Sequence, residues 1–168
     1  MKRILLDSCV LIDYFKTEAK GFEFFRFLSQ CNEPLAIDVL IEEECHDYYT
    51  SSAQHFISII NATEEENAYA EEHQYDSGLS FYDMLFWKVA TERNFDFCCT
   101  NDKLLKTKCI QSGLEVHGGL YLLYLLAQQK VLTKPHAKRI ADALQQTNPA
   151  FINSNVMAQF INLINTLN

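Results

Sequence analysis

Glycine and proline are scarce in this chain, which has five glycines and three prolines among its 168 residues. That scarcity argues against long flexible linkers and low-complexity segments. No apolar run approaches the ~20 residues that a membrane-spanning helix requires, and the most apolar window covers only residues 120–127. Only a short apolar segment follows the basic start before Asp7 interrupts it, so we expect no cleavable signal peptide. We therefore expect a cytoplasmic protein that has no contact with a membrane.

Several sequence motifs that carry chemistry are also missing. The chain has six cysteines but no C-x-x-C pair, and its histidines show no H-x-x-x-H spacing, so a zinc site is not expected. The glycine-rich phosphate-binding motifs and the G-x-S-x-G nucleophile motif are absent as well. We expect the six thiols to be reduced and to act as small apolar residues of the core.

Positive charge is in deficit. The chain carries 14 Lys and Arg residues against 22 Asp and Glu residues, which gives a formal net charge of −8. A protein that binds nucleic acid through a general basic surface usually has an excess of basic residues, so this class is disfavoured. The balance still suits a site that gathers acidic residues around a metal ion, because the ion then supplies positive charge.

The residues that are present indicate one packed domain. Hydrophobic residues make up 48% of the chain, which is ample material for a single core. Five short apolar runs predict strands at 3–6, 34–37, 55–60, 95–100 and 114–116. Amphipathic segments predict helices at 10–29 with a break near Gly21, and at 38–49, 63–74, 79–93, 101–112, 120–131, 135–144 and 154–167. This alternation predicts an α/β fold, a three-layer Rossmann-like arrangement with a central, mostly parallel sheet of four to five strands flanked by helices, plus C-terminal helices.

Acidic side chains follow the predicted strands. Asp7 follows the first strand and Asp102 the fourth, while Asp83 lies near the start of a helix and the run Glu42–Glu44 lies inside another. Sites in parallel sheets form beyond the carboxyl ends of the strands, so we expect Asp7, Asp83 and Asp102 to converge. Converging carboxylates repel one another unless a cation lies between them. Mg²⁺ prefers oxygen ligands and keeps positions for water and phosphate, which points to phosphodiester hydrolysis.

Each acid also has a structural explanation. Ser80 and Asp83 have the spacing of a capping box, which accounts for Asp83 about as well as a catalytic role does. Asp102 can serve simply to begin a helix, and Asp13, like the glutamate run, is typical of a solvated helix face. Asp7 is the hardest to explain in this way, because a carboxylate next to a buried strand is costly without a partner.

Four segments resemble the motifs of PIN-domain nucleases. Residues 5–13 (LLDSCVLID) resemble the opening strand with its aspartate, 78–83 (GLSFYD) the central motif, and 99–105 (CTNDKLL) the third. Residues 41–45 (IEEEC) resemble the segment that carries a glutamate. Each motif is weak alone, whereas their order and spacing together are specific. The resemblance covers roughly residues 3–117, and the remaining tail is similar to extensions found in toxin-like members of the family.

The resemblance implies a PIN nuclease domain over residues 1–117 and a helical extension over 118–168 packed on the same domain. It implies a metal-dependent endoribonuclease that hydrolyses phosphodiester bonds of single-stranded or structured RNA with Mg²⁺ or Mn²⁺, as the toxin of a toxin–antitoxin pair. A small antitoxin protein is the partner it suggests. The many apolar positions in the C-terminal helical segments are, separately, compatible with a homodimer. The catalytic set implied by position is Asp7, Glu44, Asp83 and Asp102.

Within that set, the implied metal ligands are Asp7, Asp83 and Asp102. Placing Asp38 at the helix N-cap favours Glu44 over its neighbour Glu43. One departure concerns Cys9, which stands where many members have Asn, so we expect one supporting hydrogen bond to be missing.

Further residues are candidates for supporting roles. Ser8 and Thr100 are expected to hydrogen-bond a carboxylate or water, with local capping as the alternative. Asn101 is a candidate for positioning phosphate or water, and Lys103 for contacting the RNA backbone. A solvated helix face is the alternative for Lys103 and for the other lysines of its group, Lys106 and Lys108. A second basic group is a candidate for binding RNA or an acidic partner, and it consists of Lys130, Lys134, Lys138 and Arg139.

The sequence is compatible in part with two other functional classes. The first is a catalytically inactive PIN-like module that serves binding or assembly, although the presence of all the central acids argues against it. The second is a phospho-accepting regulatory domain, which also places Asp at strand ends. That class needs paired acids after the first strand and a lysine after the last, and the chain has neither.

Overall fold

The computed structural model describes residues 1–168, apart from the side chain of Ser51. Five parallel strands form one sheet in the order β3-β2-β1-β4-β5. The strands are β1 (Lys2–Leu6), β2 (Asn32–Ile37), β3 (Ser58–Ile60), β4 (Phe97–Cys99) and β5 (Val116–His117). The helices are α1 (Ser8–Glu18), α2 (Phe25–Cys31), α3 (Asp38–Leu40, continued by a π-helical turn over Ile41–Cys45), α4 (Ser51–Gln54), α5 (Glu64–His73), α6 (Phe81–Glu92), α7 (Lys103–Gln111), α8 (Leu120–Gln128), α9 (Lys134–Thr147) and α10 (Ser154–Asn165).

Helices cover both faces of the sheet. Successive side chains of a strand point to opposite faces, and in β1 the side chains of Ile4 and Leu6 join one apolar cluster while Leu5 joins the other. Leu5 packs with residues of α5, α6 and α7, among them Leu85. Strands buried on both faces read as continuous apolar runs, which is why β1 has no polar alternation. The predicted three-layer α/β architecture with a parallel sheet is therefore confirmed.

The C-terminal helices are part of the layer on the other face. Leu122 of α8, Ile140 of α9 and Ile164 of α10 are fully buried in the same cluster as Ile4 and Leu6. Residues 118–168 thus cover the sheet directly. Among the described residues, no helix combines the length and the apolar character needed to cross a membrane.

Some predicted boundaries are wrong. The strand predicted over 55–60 is limited to Ser58–Ile60, and the short helix α4 precedes it, because the Thr50 hydroxyl accepts a hydrogen bond from the backbone N–H of Ala53. The helix predicted from Asn101 begins instead at Lys103. One thiol also departs from expectation, since Cys31 is exposed at the end of α2.

The strand order places a topological switch point between β1 and β4. From β1 the chain moves to β2 on one side, and after β3 it crosses to β4 on the other side. The loops after β1 and β4 therefore leave the sheet next to each other, and the backbone N–H of Asp7 donates to the carbonyl of Cys99 over 3.0 Å. Parallel sheets place their sites in the crevice at this position.

Candidate active site

Asp7 is the buried centre of the site. It is the first residue after β1 and the N-cap of α1, and only 4% of its surface is exposed. Its Oδ1 accepts a hydrogen bond from the backbone N–H of Ser8 (2.8 Å), and its Oδ2 accepts from the hydroxyl of Thr100 (2.7 Å). Burial raises the pKa of Asp7, the hydrogen bonds from Cys9 and Thr100 oppose this, and the charge of Asp83 raises the pKa further. The sequence predicted that burying the Asp7 carboxylate is unfavourable without a partner, and the structure supplies only uncharged hydrogen-bond donors.

Cys9 corrects one expectation. The hydrogen bond expected to be missing at this position is present, because Sγ of Cys9 lies 3.0 Å from Oδ2 of Asp7 and donates to it. Burial first, and then the charge of Asp7, raise the pKa of the Cys9 thiol well above its ordinary value. The thiol therefore keeps its proton and remains a donor.

Glu44 lies beside Asp7 and is half-buried in the π-helical turn. Its Oε1 accepts the hydroxyl proton of Ser8 over 2.7 Å. Burial raises the pKa of Glu44, the Ser8 hydrogen bond opposes this, and the charges of Asp7, Asp83 and Glu43 raise it further. Glu43 is exposed and accepts a hydrogen bond from Tyr82 instead. The structure thus places Glu44, and not Glu43, against the buried aspartate.

Asp83 serves as a helix cap and as a member of the cluster at once. Its Oδ2 accepts hydrogen bonds from the backbone N–H (2.8 Å) and the hydroxyl (2.9 Å) of Ser80, and Ser80 in turn caps the backbone N–H of Asp83. Its Oδ1 accepts no hydrogen bond from a described residue. The charge of Asp83 acts on both Asp7 and Glu44. The capping box predicted from the sequence is therefore confirmed, and it does not keep Asp83 away from the other acids.

Asp102 joins the site through a shared hydroxyl. It is the N-cap of α7, where its Oδ1 accepts the backbone N–H of Leu105 over 2.8 Å. The backbone N–H of Asp102 donates to Oγ1 of Thr100, which donates to Asp7. Asp7, Glu44 and Asp83 thus lie within electrostatic range of one another, whereas Asp102 is linked to Asp7 by way of Thr100.

None of these four acids forms a salt bridge with a described residue. Within the described part of the chain, no three His, Cys, Asp or Glu side chains are arranged as a ready-made set of metal ligands.

The side chain of Asn101 forms no hydrogen bond with Asp7, Glu44, Asp83 or Asp102 and connects other elements instead. Its Oδ1 accepts the backbone N–H of Gly119 (2.8 Å), and its Nδ2 donates to Asp13 (3.4 Å). A Cβ atom added at Gly118 would lie 3.3 Å from the Asn101 amide, so the glycine permits this close approach. Lys103 is exposed at the start of α7. Asn101 therefore fixes the loop before α8.

The expectation for Asp13 is wrong. Only 5% of its surface is exposed, and its carboxylate accepts hydrogen bonds from Asn148 (3.1 and 3.2 Å) as well as from Asn101. Burial raises the pKa of Asp13, and the Asn148 hydrogen bond opposes this. Asp13 lies on the buried face of α1 together with Val10 and Thr17, at spacings of three and four residues. That periodicity was the signal that could have placed it inside.

The second basic group is partly engaged within the protein. Lys134 donates to the backbone carbonyl of Leu167, and Lys138 donates to Oδ1 of Asn165 over 2.8 Å. These cations lie at the C-terminal end of α10, where a helix favours positive charge. They hold α9 against α10, which accounts for two members of the group without RNA.

Comparison with protein-family models, curated proteins and solved structures found no match. The protein is therefore described by its own structure. It has an α/β fold with a five-stranded parallel sheet, and a group of carboxylates without cationic partners among the described residues lies at the switch point of that sheet.

Proposed function

We propose that the chain is a divalent-metal-dependent endoribonuclease of the PIN type. The observation that carries this proposal is the group formed by Asp7, Glu44 and Asp83. Two of the three carboxyls have raised pKa values, and none has a cationic partner among the described residues. Holding such a group ionised at neutral pH is unfavourable unless a cation binds there.

The donor set fits a hard ion such as Mg²⁺ or Mn²⁺. The ligands would be Asp7, Asp83 and Asp102, all carboxylates, which hard cations prefer. In both Asp83 and Asp102 the hydrogen bonds of the cap use a single carboxylate oxygen, so the other oxygen is open to an ion. When bound, the ion would orient an attacking water and neutralise charge on the leaving oxygen of the phosphodiester.

The protein's own groups supply position and proton transfer. Thr100 and Cys9 fix Oδ2 of Asp7, and Ser8 fixes Oε1 of Glu44. The other oxygen of Glu44, Oε2, receives the proton of the attacking water. The raised pKa of Glu44 suits a base, because a stronger base takes the proton more readily. The water oxygen then bonds to phosphorus while the P–O bond to the leaving nucleotide breaks, and the leaving oxygen takes up a proton from solvent.

The same site favours one other function, an inactive PIN-like module that binds or assembles with a partner. Asp7, Asp83 and Asp102 are each the N-cap or the capping-box acid of a helix, so each contributes to folding without any ion. Caps of this kind contribute about 1 kcal/mol each. A chain that binds no divalent ion in solution favours this second function.

An RNA cleavage assay tests the nuclease. The wild-type protein is expected to cleave single-stranded RNA with Mg²⁺ or Mn²⁺ and to be inactive in EDTA. Asp7→Asn, Asp83→Asn and Asp102→Asn are expected to lose cleavage, because Asn keeps an oxygen that can cap a helix but removes the charge. If all three variants cut RNA as the wild type does, the nuclease proposal is wrong.

A matched pair tests the role of Glu44. Glu44→Gln is expected to lower kcat strongly, since Gln cannot accept the proton, whereas Glu43→Gln leaves kcat almost unchanged. Both variants remove one formal negative charge from the same turn, so the change in net charge is matched. Equal losses in the two variants would show that Glu44 has no special role.

The toxin role within a toxin–antitoxin pair is a further part of the proposal. Its partner is a small antitoxin that inserts a segment into the acidic site, and a homodimer is the proposed assembly. Expression of the wild-type chain is expected to arrest growth, and co-expression of a small neighbouring gene is expected to relieve the arrest. Asp83→Asn is the control and is expected to be harmless. Growth unaffected by the wild-type chain contradicts the toxin role alone.

A further inference from the structure

A groove adjoins the acidic cluster, and its lining differs from the rest of the protein. It has a volume of about 440 Å³ and lies where α7 and the start of α8 face residues 150–163. Thr100, whose hydroxyl donates to Asp7, also lines the groove, so the groove and the cluster share a residue. None of the described residues that line it is acidic, although acids outnumber bases by 22 to 14 in the chain.

The groove carries positive charge without a counter-charge. Lys103 begins α7 and Lys106 lies three residues further on, and both line the groove. Neither forms a salt bridge or a side-chain hydrogen bond with a described residue. A cation at the N-terminal end of a helix is opposed by the helix dipole, so this position brings no benefit to folding. Two uncompensated cations beside a groove attract an anionic ligand.

The opposite wall offers an aromatic face and exposed amides. Phe151 is 51% exposed and lines the groove. Asn155 and Gln159 lie four residues apart on one face of α10 and are exposed in the same wall. Aromatic rings stack on unpaired bases of any sequence, and amide groups hydrogen-bond the edges of bases. Cations on one wall and an aromatic ring with amides on the other match a single-stranded nucleic acid.

We propose that this groove is a binding subsite for single-stranded RNA, an inference that rests on the nuclease function proposed above. Lys103 and Lys106 contact successive phosphates, and Phe151 stacks on a base. Because Thr100 joins the groove to Asp7, the bound nucleotides flank the phosphodiester that lies over the acids. A duplex is excluded from this subsite, since a paired base presents no free face to Phe151. The groove also explains how a chain with a net charge of −8 attracts RNA locally.

Binding without divalent ions tests the groove separately from catalysis. The probe is a fluorescent oligouridine of about 12 nucleotides, a length suited to such grooves, followed by fluorescence anisotropy in EDTA so that the RNA stays intact. The double variant Lys103→Gln/Lys106→Gln is expected to weaken binding on the order of tenfold. The slope of log K against log salt is expected to fall by about 1.4, since each phosphate contact on a single strand contributes about 0.7. Phe151→Ser is expected to weaken binding by about tenfold with an unchanged slope.

The matched control removes the same charge from elsewhere on the surface. Lys20→Gln/Arg26→Gln changes two exposed cations that lie outside the groove and belong to neither basic group of the sequence. This control is expected to bind the oligouridine almost as the wild type does. If both double variants weaken RNA binding equally, the loss of affinity follows from net charge alone, and the proposed subsite is wrong.

Other outcomes are also decisive. Wild-type protein that does not bind the oligouridine, or that binds a synthetic glutamate-rich peptide in its place, overturns the RNA subsite in favour of a protein segment. Cleavage of the same RNA with Mg²⁺ is measured in parallel. Cleavage by the wild type with unchanged affinity in the groove variants overturns the subsite alone. Weakened binding in those variants without any cleavage by the wild type upholds the subsite and overturns the nuclease function.

Discussion

Helices α5 and α6 begin with the same local structure but place it in opposite electrostatic surroundings. Each starts with a complete capping box, formed by Thr63 and Glu66 in α5 and by Ser80 and Asp83 in α6. Glu66 is also bonded by Arg93 through both of its carboxylate oxygens. Asp83 has no cationic partner among the described residues and lies in the acidic cluster instead.

The pKa values express the same difference. Burial of Glu66 opposes its ionisation, but the hydrogen bonds from Arg93 and Thr63 outweigh this and hold the pKa of Glu66 below its ordinary value. At the site of Asp83, the neighbouring carboxyls Asp7 and Glu44 have raised pKa values. A capping box therefore does not require an unpaired acid. The lack of a counter-charge around Asp83 is a property of the site and not of the cap.

The largest expected effect concerns activity. Asp83→Asn is expected to reduce RNA cleavage by at least about 100-fold, because losing a metal ligand costs more than losing its supporting partner. Glu66→Gln makes the equivalent change in the other capping box and is expected to leave kcat within about threefold of the wild type. Steady-state cleavage of one RNA substrate by both variants measures the contrast. Similar losses of cleavage activity in the two variants would show that the two capping boxes do not differ in function.

The next effect concerns stability, for which the capping box of α5 and not that of α6 is expected to matter. Arg93→Gln leaves the carboxylate of Glu66 buried without its cation, and breaking a buried pair costs about 3–5 kcal/mol. The Arg93 side chain is 27% exposed against 3% for Glu66, so we expect a smaller loss of about 2–3 kcal/mol. Tm is then expected to fall by about 4–12 °C.

Thermal unfolding followed by circular dichroism measures this change. The control is Arg139→Gln, in which an exposed arginine is replaced and Tm is expected to stay within about 2 °C of the wild type. Asp83→Asn is expected not to lower Tm, since Asn preserves an acceptor for the cap and the change removes one charge from the acidic cluster. An unchanged Tm in Arg93→Gln contradicts the structural role of the Glu66 pair.

The smallest effect is the dependence of stability on pH in the metal-free protein. The pKa of Glu66 is lowered by folding, so its contribution is present above its unfolded value of 4.5 and is lost as pH falls through the folded value. Folding raises the pKa values of Asp7, Glu44 and Asp13, so stability increases as pH falls from neutral through those raised values. Each group changes the slope of the unfolding free energy against pH by no more than about 1.4 kcal/mol per pH unit.

Urea unfolding in EDTA between neutral pH and pH 4 measures both contributions. The wild type is expected to gain stability first and lose it at the acid end, whereas Asp7→Asn gains less because one of the carboxyls with a raised pKa is gone. A wild-type profile that declines steadily from neutral pH would show that the acidic cluster imposes no electrostatic cost.

The sequence predicted the elements that depend on local pattern. The strand before Asp7, the capping box of Asp83 and the helix start at Asp102 follow from apolar runs and cap spacing, and all are present. The preference for Glu44 over Glu43 came from the family resemblance, and the structure places Glu44 beside Ser8.

The contacts that were not predicted join residues far apart in the chain. Asp13 was expected in solvent, but Asn148 of the C-terminal helices buries it. The pair of Glu66 and Arg93 decides which capping box is neutralised, and nothing near Glu66 in the sequence signals its partner. Such contacts depend on how helices cross the sheet, which periodicity along the chain does not specify.

Calorimetric titration of Mn²⁺ into the metal-free protein at neutral pH measures whether the acidic cluster binds the divalent cation proposed for it. The wild type and Glu66→Gln are expected to bind Mn²⁺ saturably with similar affinity, while Asp7→Asn and Asp83→Asn bind it at least about tenfold more weakly. Absence of binding to the wild type at millimolar Mn²⁺, or equal binding by all four proteins, would contradict the account.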